Sequence, residues 1–136
     1  MAAQATRVDN STGRKARVIV ADEDLDLLAL IERILTADFS VTTVSDGKQA
    51  VDAVAPLPPD VLLLDVDMPI MDGIDVCRQV RAANPSLPII ILTGHTEDET
   101  VRRAFEAGAT DYLAKPFSAS QLRSRLRAHV LRRAER

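Results

Sequence analysis

The chain of 136 residues is long enough for one compact domain and too short for two, and its 46% hydrophobic content is sufficient to fill a core. A net charge of −3 lacks the strongly basic balance of a chain that binds nucleic acid directly, and a single cysteine cannot form an internal disulfide. No apolar run approaches the roughly 18 residues needed to span a bilayer, and the N-terminus lacks the apolar stretch of a secretory signal, so we expect a cytoplasmic location and no membrane contact.

The predicted elements alternate strands with helices after a polar start. Residues 1–16 are polar and show no periodicity, which predicts a flexible leader. Short apolar runs rich in Val and Ile predict buried strands at residues 18–21, 41–44, 61–64, 89–92 and 112–114. Apolar stripes at helical spacing predict helices within residues 27–35, 51–54, 76–83, 101–105 and 122–130, with N-caps at Asp46 and Ser118 and a C-terminal stop at Gly108. Five strand–helix units predict a doubly wound α/β domain over residues 17–134, with a parallel sheet covered by helices on both faces.

Polar side chains follow four of the five predicted strands, at the edge where a parallel sheet places its active crevice. Asp22 and Glu23 follow strand one, Asp65 follows strand three, Thr93 follows strand four and Lys115 follows strand five. If strands one and three are neighbours, three carboxylates share a small space, and two like charges ~4 Å apart repel by about 4 kcal/mol at an effective dielectric near 20. A magnesium ion would offset that repulsion, and lysine and threonine would supply donors to a phosphate. This set of residues predicts a phosphoryl-transfer site.

Four segments match one family in order and in spacing, namely VIVADED, LLLLDVDMPIMDG, IIILTGH and DYLAKPF. Through them the chain resembles the receiver domain of bacterial two-component response regulators over residues 17–133. The resemblance implies a flavodoxin-like receiver fold, in which a five-stranded parallel sheet of order 2-1-3-4-5 is flanked by five helices. It also implies a signalling protein that is not an enzyme beyond assisting its own phosphorylation and dephosphorylation.

The resemblance assigns a role to each matching residue of the site. Asp65 resembles the acceptor that takes a phosphoryl group from the phosphohistidine of a histidine kinase. Asp22 and Glu23 resemble the acidic pair that holds Mg²⁺, Asp22 directly and the longer Glu23 through water, with Asp65 adding a carboxylate oxygen and Asp67 its backbone carbonyl. Lys115 resembles the lysine that pairs with the phosphoryl group, and the family precedent predicts a cis peptide between it and the following proline.

The resemblance also implies a switch and its partners. Thr93 and Tyr112 resemble the switch pair that repacks the surface of helix four, strand five and helix five after phosphorylation. The implied partners are a sensor histidine kinase or phosphotransfer protein and an output domain or effector protein, with no membrane and no direct nucleic acid contact. A homodimer through the same surface is a further option, which Asp111 and Arg125 suit, although Val101 and Gln121 replace residues that are usually charged.

Other functions share parts of this pattern. The sequence Asp65-Val66-Asp67 after an apolar strand imitates the DxD signature of a haloacid-dehalogenase-like phosphatase, but there the motif follows the first strand and Thr or Val stands in place of Pro69. A phosphorylation-independent interaction module of the same fold would lack the acceptor, the acidic pair or the lysine. A flavodoxin-like redox protein is disfavoured because the loop after strand one is acidic, whereas a flavin phosphate needs hydroxyls and free N–H groups.

Several conspicuous residues have a plain structural interpretation. Six arginines and one acid in residues 118–136 predict a solvated helix face, and Cys77 is expected to be a small buried side chain rather than a redox group. His95 and His129 show no metal-ligand spacing, and we interpret His95 as a loop residue, with a place on the rim of the acidic pocket as the alternative. Gly73 is expected to allow a backbone bend in the loop after the acceptor.

Overall fold

The computed structural model of this protein describes residues 7–134, and its elements follow the predicted alternation. The strands are β1 Arg17–Ala21, β2 Ser40–Val44, β3 Val61–Asp65, β4 Ile89–Thr93 and β5 Asp111–Ala114. The helices are α1 Leu25–Leu35, α2 Gly47–Val54, α3 Gly73–Ala83, α4 Asp98–Glu106 and α5 Ala119–Ala134. The strands form one parallel sheet in the order β2-β1-β3-β4-β5, which confirms the predicted fold class.

The core has two layers because helices cover both faces of the sheet. Successive side chains of a strand point to opposite faces, so Leu62 and Leu64 pack with apolar residues of α2, α3 and α4, whereas Leu63 packs with those of α1 and α5. β3 and β4 are buried along their whole length and form the rigid centre. Cys77 belongs to the first layer, where burial raises the pKa of its thiol to about 11, in agreement with a packing role. Within residues 7–134 no helix is long and apolar enough to cross a bilayer.

Side chains at the strand–helix turns fix where the helices begin. Asp24, Asp46 and Asp72 each accept hydrogen bonds from backbone N–H groups in the first turn of the helix that follows. The Ser118 hydroxyl accepts a bond from a first-turn N–H group of α5 in the same way. Gly108, just beyond α4, has a φ of 110°. The N-caps predicted at Asp46 and Ser118 and the stop predicted at Gly108 are therefore confirmed.

The segment before β1 differs from the predicted leader. Val8 is only 3% exposed, its N–H group donates to the carbonyl of Asp38, and its carbonyl accepts from the N–H group of Ala16. An isolated antiparallel bridge joins Asp9 to Lys15 and closes a tight turn. Val8 and Ala16 thus belong to the layer of core under α1 and α5. The flexible leader predicted over residues 1–16 needs correction for residues 7–16, and its first six residues lie outside the described part of the chain.

Candidate functional site

The sheet register brings the polar strand ends to one edge. Ala21 of β1 is aligned with Leu64 of β3, the residue before Asp65, and Thr93 of β4 is aligned with Ala114 of β5, the residue before Lys115. Parallel strands in this order place their carboxyl ends side by side. The residues that follow those ends therefore share one crevice, as the sequence predicts.

Lys115 joins two of the predicted carboxylates at the centre of this crevice. Its Nζ donates to Asp22 Oδ2 at 2.9 Å and to Asp65 Oδ1 at 3.1 Å. The side chain of Asp22 is 1% exposed, that of Asp65 is 7% exposed and that of Lys115 is 25% exposed, so solvent reaches the group from the lysine side. The peptide bond between Lys115 and Pro116 is cis, as predicted. Four residues of the predicted phosphoryl site follow strands one, three and five, namely Asp22, Glu23, Asp65 and Lys115. The structure brings three of these four together.

The fourth residue, Glu23, is not part of this group. It is exposed, whereas Asp22 beside it is buried. Among residues 7–134 no three His, Cys, Asp or Glu side chains are grouped closely enough to hold a metal ion by themselves. A site for Mg²⁺ here would therefore rest on two carboxylates, with backbone carbonyl and water oxygens completing the shell.

The pKa values in the crevice are shifted first by burial and then by the neighbouring charges. Burial raises the pKa of Asp65 above its ordinary value; the hydrogen bond from Lys115 lowers it, while the charges of Asp22 and Asp67 raise it further. Burial by itself lowers the pKa of Lys115, but its hydrogen bonds to both aspartates raise that pKa overall. One ammonium group is shared between two buried carboxylates, so the carboxylate of Asp65 is only partly compensated.

The donor set of this edge fits a magnesium ion. Mg²⁺ prefers hard oxygen ligands and is commonly held by one or two carboxylates together with waters and substrate phosphate. Asp22 and Asp65 supply two such carboxylates, and their negative charge exceeds what Lys115 neutralises. A divalent cation would remove that excess. The residues present therefore suit the ion that the sequence pattern predicts.

Close backbone packing fixes the loop that follows Asp65. A Cβ atom at Gly73 would lie 2.0 Å from the carbonyl oxygen of Asp65, and one at Gly47 would lie 1.9 Å from the carbonyl oxygen of Met71. Gly73 is thus required for close approach, which corrects the expectation of a backbone bend at that residue. The positive φ in this loop, 73°, is instead at Ile70, an exposed residue.

Thr93 lies at the edge of the crevice with its hydroxyl engaged by the following loop. Its Oγ1 accepts a bond from the N–H group of His95 at 2.8 Å and donates to the carbonyl of His95 at 3.2 Å. The ring of the same histidine contacts Asp67, with Nε2 2.6 Å from Oδ2. The hydrogen bond and charge of Asp67 raise the pKa of His95. His95 therefore occupies the rim of the acidic pocket, the interpretation that the sequence analysis ranked second.

Tyr112 and Asp111 define the neighbouring surface formed by α4, β5 and α5. The ring of Tyr112 meets that of Phe105 edge-on, with centroids 6.2 Å apart. Asp111 accepts bonds from Arg125 Nη1 at 2.8 Å and contacts His129 Nε2 at 3.0 Å. Burial raises the pKa of Asp111, but the hydrogen bonds of His129 and Arg125 lower it overall. Asp111 and Arg125 are thus paired within one chain, and the homodimer through this surface stays a prediction.

The contact between His95 and Asp67 is the main feature that sequence reasoning undervalued. Both residues lie two positions beyond the end of a strand, because His95 follows Thr93 by two and Asp67 follows Asp65 by two. β3 and β4 are neighbours, with Asp65 aligned with Leu92. Because Asp67 and His95 lie the same number of residues beyond the ends of neighbouring parallel strands, the sequence could have predicted that their side chains are close.

A parallel sheet of order β2-β1-β3-β4-β5 flanked by helices, with an acidic pocket and a lysine at its carboxyl edge, has the architecture of the receiver domains of signalling proteins. The family model described as the response regulator receiver domain matches residues 18–127. The chain therefore belongs to the response regulator receiver domain family, and the resemblance expected from its motifs is confirmed.

Named relatives agree with this assignment. The chain is 40% identical over 119 residues to the DNA-binding response regulator MtrA of Mycolicibacterium paratuberculosis, a match that covers 87% of this chain and 52% of that protein. It is 41% identical over 118 residues to the response regulator MprA of Mycolicibacterium vanbaalenii, covering 86% of this chain and 51% of that protein. The chain thus spans about half the length of the curated relatives that it matches.

A solved structure shows the same fold. The receiver domain of the Francisella response regulator 1452 superposes with a TM-score of 0.82 at 31% sequence identity. The superposition covers 87% of this chain and 98% of that one. The similarity extends over an entire receiver domain in that protein.

Proposed function

We propose that this receiver domain accepts a phosphoryl group on Asp65 from the phosphohistidine of a sensor histidine kinase or a phosphotransfer protein. The observation that carries the proposal is the position of Lys115 Nζ, which bridges Asp65 and Asp22 at 3.1 and 2.9 Å in a crevice open on one side. In the transfer, a carboxylate oxygen of Asp65 forms the new bond to phosphorus. The phosphorus–nitrogen bond breaks, and its electron pair stays with the donor histidine.

The residues around Asp65 would stabilise the negative charge of the phosphoryl group in different ways. Asp22, Asp65 and the backbone carbonyl of Asp67 would hold Mg²⁺, with Glu23 contributing through water. When bound, the ion supplies positive charge to the phosphoryl oxygens. Lys115 then keeps a charge-assisted hydrogen bond to the phosphorylated site, because its ammonium already contacts the acceptor. Asp22 keeps the ammonium oriented from the opposite side.

The signal would leave the site through Thr93 and Tyr112. Phosphorylation adds about −1.5 to −2 charges and three acceptor oxygens at Asp65. Thr93 can donate to those oxygens only after its hydroxyl gives up the bond that it donates to the carbonyl of His95. Its movement frees space for Tyr112, whose ring is half-buried and rests against Phe105. Phosphorylation thereby biases an existing equilibrium between two arrangements of the α4, β5 and α5 surface.

The recipient of the signal would be an output domain or a separate effector protein. The relative MtrA is a DNA-binding response regulator of about twice the matched length, so a DNA-binding output is one form that this proposal takes. The receiver itself would contact protein rather than DNA, would act in the cytoplasm and would turn over no external substrate.

Phosphorylation with a small donor tests the proposal directly. Incubation with acetyl phosphate and Mg²⁺ should add one phosphoryl group, detected by intact mass, and Asp65→Asn should abolish the adduct. Asp75→Asn, at an exposed aspartate of α3, is the matched control and should be labelled like the wild type. No adduct under conditions that label other receiver domains would refute the proposal. Catalytic release of phosphate from many phosphomonoesters would instead indicate the phosphatase.

A further inference from the structure

A single side-chain contact ties together the loops that follow β3 and β4. Asp67 Oδ2 and His95 Nε2 are 2.6 Å apart, although the two residues are 28 positions apart in the chain. Asp67 belongs to the loop that begins at the acceptor, and His95 to the loop that begins at Thr93. The contact therefore links the loop that receives the phosphoryl group to the loop that responds to it.

The same histidine also fixes the resting position of Thr93. The Thr93 hydroxyl exchanges two hydrogen bonds with the backbone of His95, at 2.8 and 3.2 Å. Both the proton and a lone pair of the hydroxyl are thus used inside the loop after β4. As long as the His95 ring stays attached to Asp67, the backbone that holds this hydroxyl is restrained by the neighbouring loop.

Two other exposed ion pairs of the domain each lie within a single helix. The pair formed by Asp75 and Arg78, at 2.8 Å, lies within α3, so its two ends move together. The pair of Lys48 and Asp52, at 3.0 Å, lies within α2. The contact between Asp67 and His95 differs because its ends belong to separate loops. When the contact between Asp67 and His95 breaks, the loop after β4 can move independently of the loop after β3.

Phosphorylation opposes this contact on two grounds. The added charge at Asp65 repels the carboxylate of Asp67 two residues away and attracts the donor groups that face the crevice. Thr93 can donate to the phosphoryl oxygens only if its hydroxyl gives up the bond that it donates to the carbonyl of His95. The phosphorylated arrangement and the resting contact therefore compete for the same loop.

We propose that the contact between Asp67 and His95 is a latch that stabilises the resting state, so that phosphorylation must open it before Thr93 can turn. This inference rests on the proposed function, since it concerns the response to a phosphoryl group on Asp65. His95 is a positioning residue in this scheme and acts on the acceptor only through Thr93. Loss of the latch favours the activated state without a phosphoryl group.

A double-mutant cycle on the full chain tests the latch. The variants are His95→Ala, Asp67→Ala and the double variant, each titrated with beryllofluoride in saturating Mg²⁺. Because the chain has one tyrosine and no tryptophan, intrinsic fluorescence reports on Tyr112 alone. His95→Gln keeps an N–H donor for Asp67 and serves as the rescue variant, whereas Arg78→Ala breaks an exposed pair that joins no loops.

The latch predicts a specific pattern of affinities. Each single variant should bind beryllofluoride roughly two- to five-fold more tightly than the wild type, as expected for the loss of one exposed charged hydrogen bond. The double variant should be no tighter than either single variant, His95→Gln should approach the wild type, and Arg78→Ala should match it. The amide resonance of Gly94 in unliganded His95→Ala should move toward its beryllofluoride-bound position.

Three results would overturn the latch. These are additive effects in the double variant, an unchanged Gly94 resonance in His95→Ala, and weaker beryllofluoride binding by His95→Ala, which would make His95 a ligand of the phosphoryl group instead. If the wild type binds beryllofluoride but the double-mutant cycle shows no coupling between Asp67 and His95, the latch alone is refuted. A wild type that neither binds beryllofluoride nor gains a phosphoryl adduct refutes the proposed function and the latch with it.

Discussion

Replacement of Asp65, the proposed phosphoryl acceptor, by its neutral analogue asparagine should stabilise the metal-free domain. In the Asp65→Asn variant one of the two buried carboxylates that share Lys115 loses its charge, while the amide oxygen can still accept a hydrogen bond from the ammonium group. The pKa of Asp65 is raised by burial and by its acidic neighbours, although Lys115 lowers it. An ionised Asp65 is therefore less favourable in the folded chain than in the unfolded one, and its removal should increase the free energy of unfolding.

The magnitude follows from the geometry. Both carboxylates contact the same Nζ, at 2.9 and 3.1 Å, so the contacting oxygens are at most about 6 Å apart, a separation at which two like charges repel by about 3 kcal/mol at an effective dielectric near 20. The variant also loses the attraction between Asp65 and Lys115, about 5 kcal/mol over 3.1 Å at the same dielectric. It avoids the desolvation of a buried carboxylate, which is the largest influence on the pKa of Asp65 and decides the sign. We therefore expect a net gain of about 1–2 kcal/mol at neutral pH.

The pH dependence has a defined sign. A carboxyl group whose pKa is raised by folding costs no stability below its unfolded value, for which the ordinary value is 3.8, and costs progressively more as the pH rises through the folded pKa. The advantage of Asp65→Asn should therefore be absent in acid and complete at neutral pH. In excess Mg²⁺ the wild type should become more stable than Asp65→Asn, because an ion at 100 times its Kd stabilises the wild type by ~2.7 kcal/mol.

Urea unfolding followed by circular dichroism measures these differences, in EDTA and in excess Mg²⁺. Asp75→Asn, which removes an exposed charge from α3 and leaves the crevice intact, should change the free energy of unfolding by less than about 1 kcal/mol. Mg²⁺ should stabilise this variant to the same extent as the wild type. A metal-free Asp65→Asn that is less stable than the wild type at neutral pH would mean that the attraction to Lys115 outweighs burial and repulsion. The interpretation of the crevice as over-acidic would then be wrong.

Three further predictions concern the parts of the fold that support the site. Gly47→Ala should lower the free energy of unfolding by about 2–4 kcal/mol in urea, because the new Cβ would lie 1.9 Å from the Met71 carbonyl, whereas Gly94→Ala, with open space, should cost less than about 1 kcal/mol. Val8→Ala should cost about 1–2 kcal/mol in a thermal melt, and an unchanged melting temperature would contradict the core role of this segment. Asp111→Asn should cost about 1 kcal/mol at neutral pH, and the loss should disappear below the lowered folded pKa of Asp111, since that stability exists only when the carboxyl is ionised.

The sheet and the central site were predictable because their signals are local. β3 is the run VLLLD, whose four apolar residues before an acid predict both a fully buried strand and a polar end. The strand order did not follow from periodicity, since apolar runs of similar length are interchangeable; it came from the family resemblance. With that order, the meeting of Asp22, Asp65 and Lys115 follows from the register of parallel strands.

The features that were missed depend on partners distant in sequence. Val8 is one apolar residue in a polar stretch, and its burial depends on hydrogen bonds with Asp38 and Ala16 that no local pattern encodes. Gly73 is required by the close approach of the Asp65 carbonyl, which sequence alone cannot distinguish from a turn. The contact between His95 and Asp67 can be predicted only when β3 and β4 are known to be neighbours, because each residue lies two positions beyond the end of its strand.

The buried core allows the domain to tolerate an over-acidic crevice at the ends of its central strands. A site that was fully compensated by Lys115 would have no need of a dication and little reason to respond to an added phosphoryl group. The excess charge at Asp65 lowers stability by a few kcal/mol at most, and β3 and β4, buried over their whole length, hold the strand ends in place despite it. The loops beyond those ends carry the adaptable contacts, such as that between Asp67 and His95. The same strands thus provide rigidity within the sheet, and the proposed switch depends on the residues just beyond its edge.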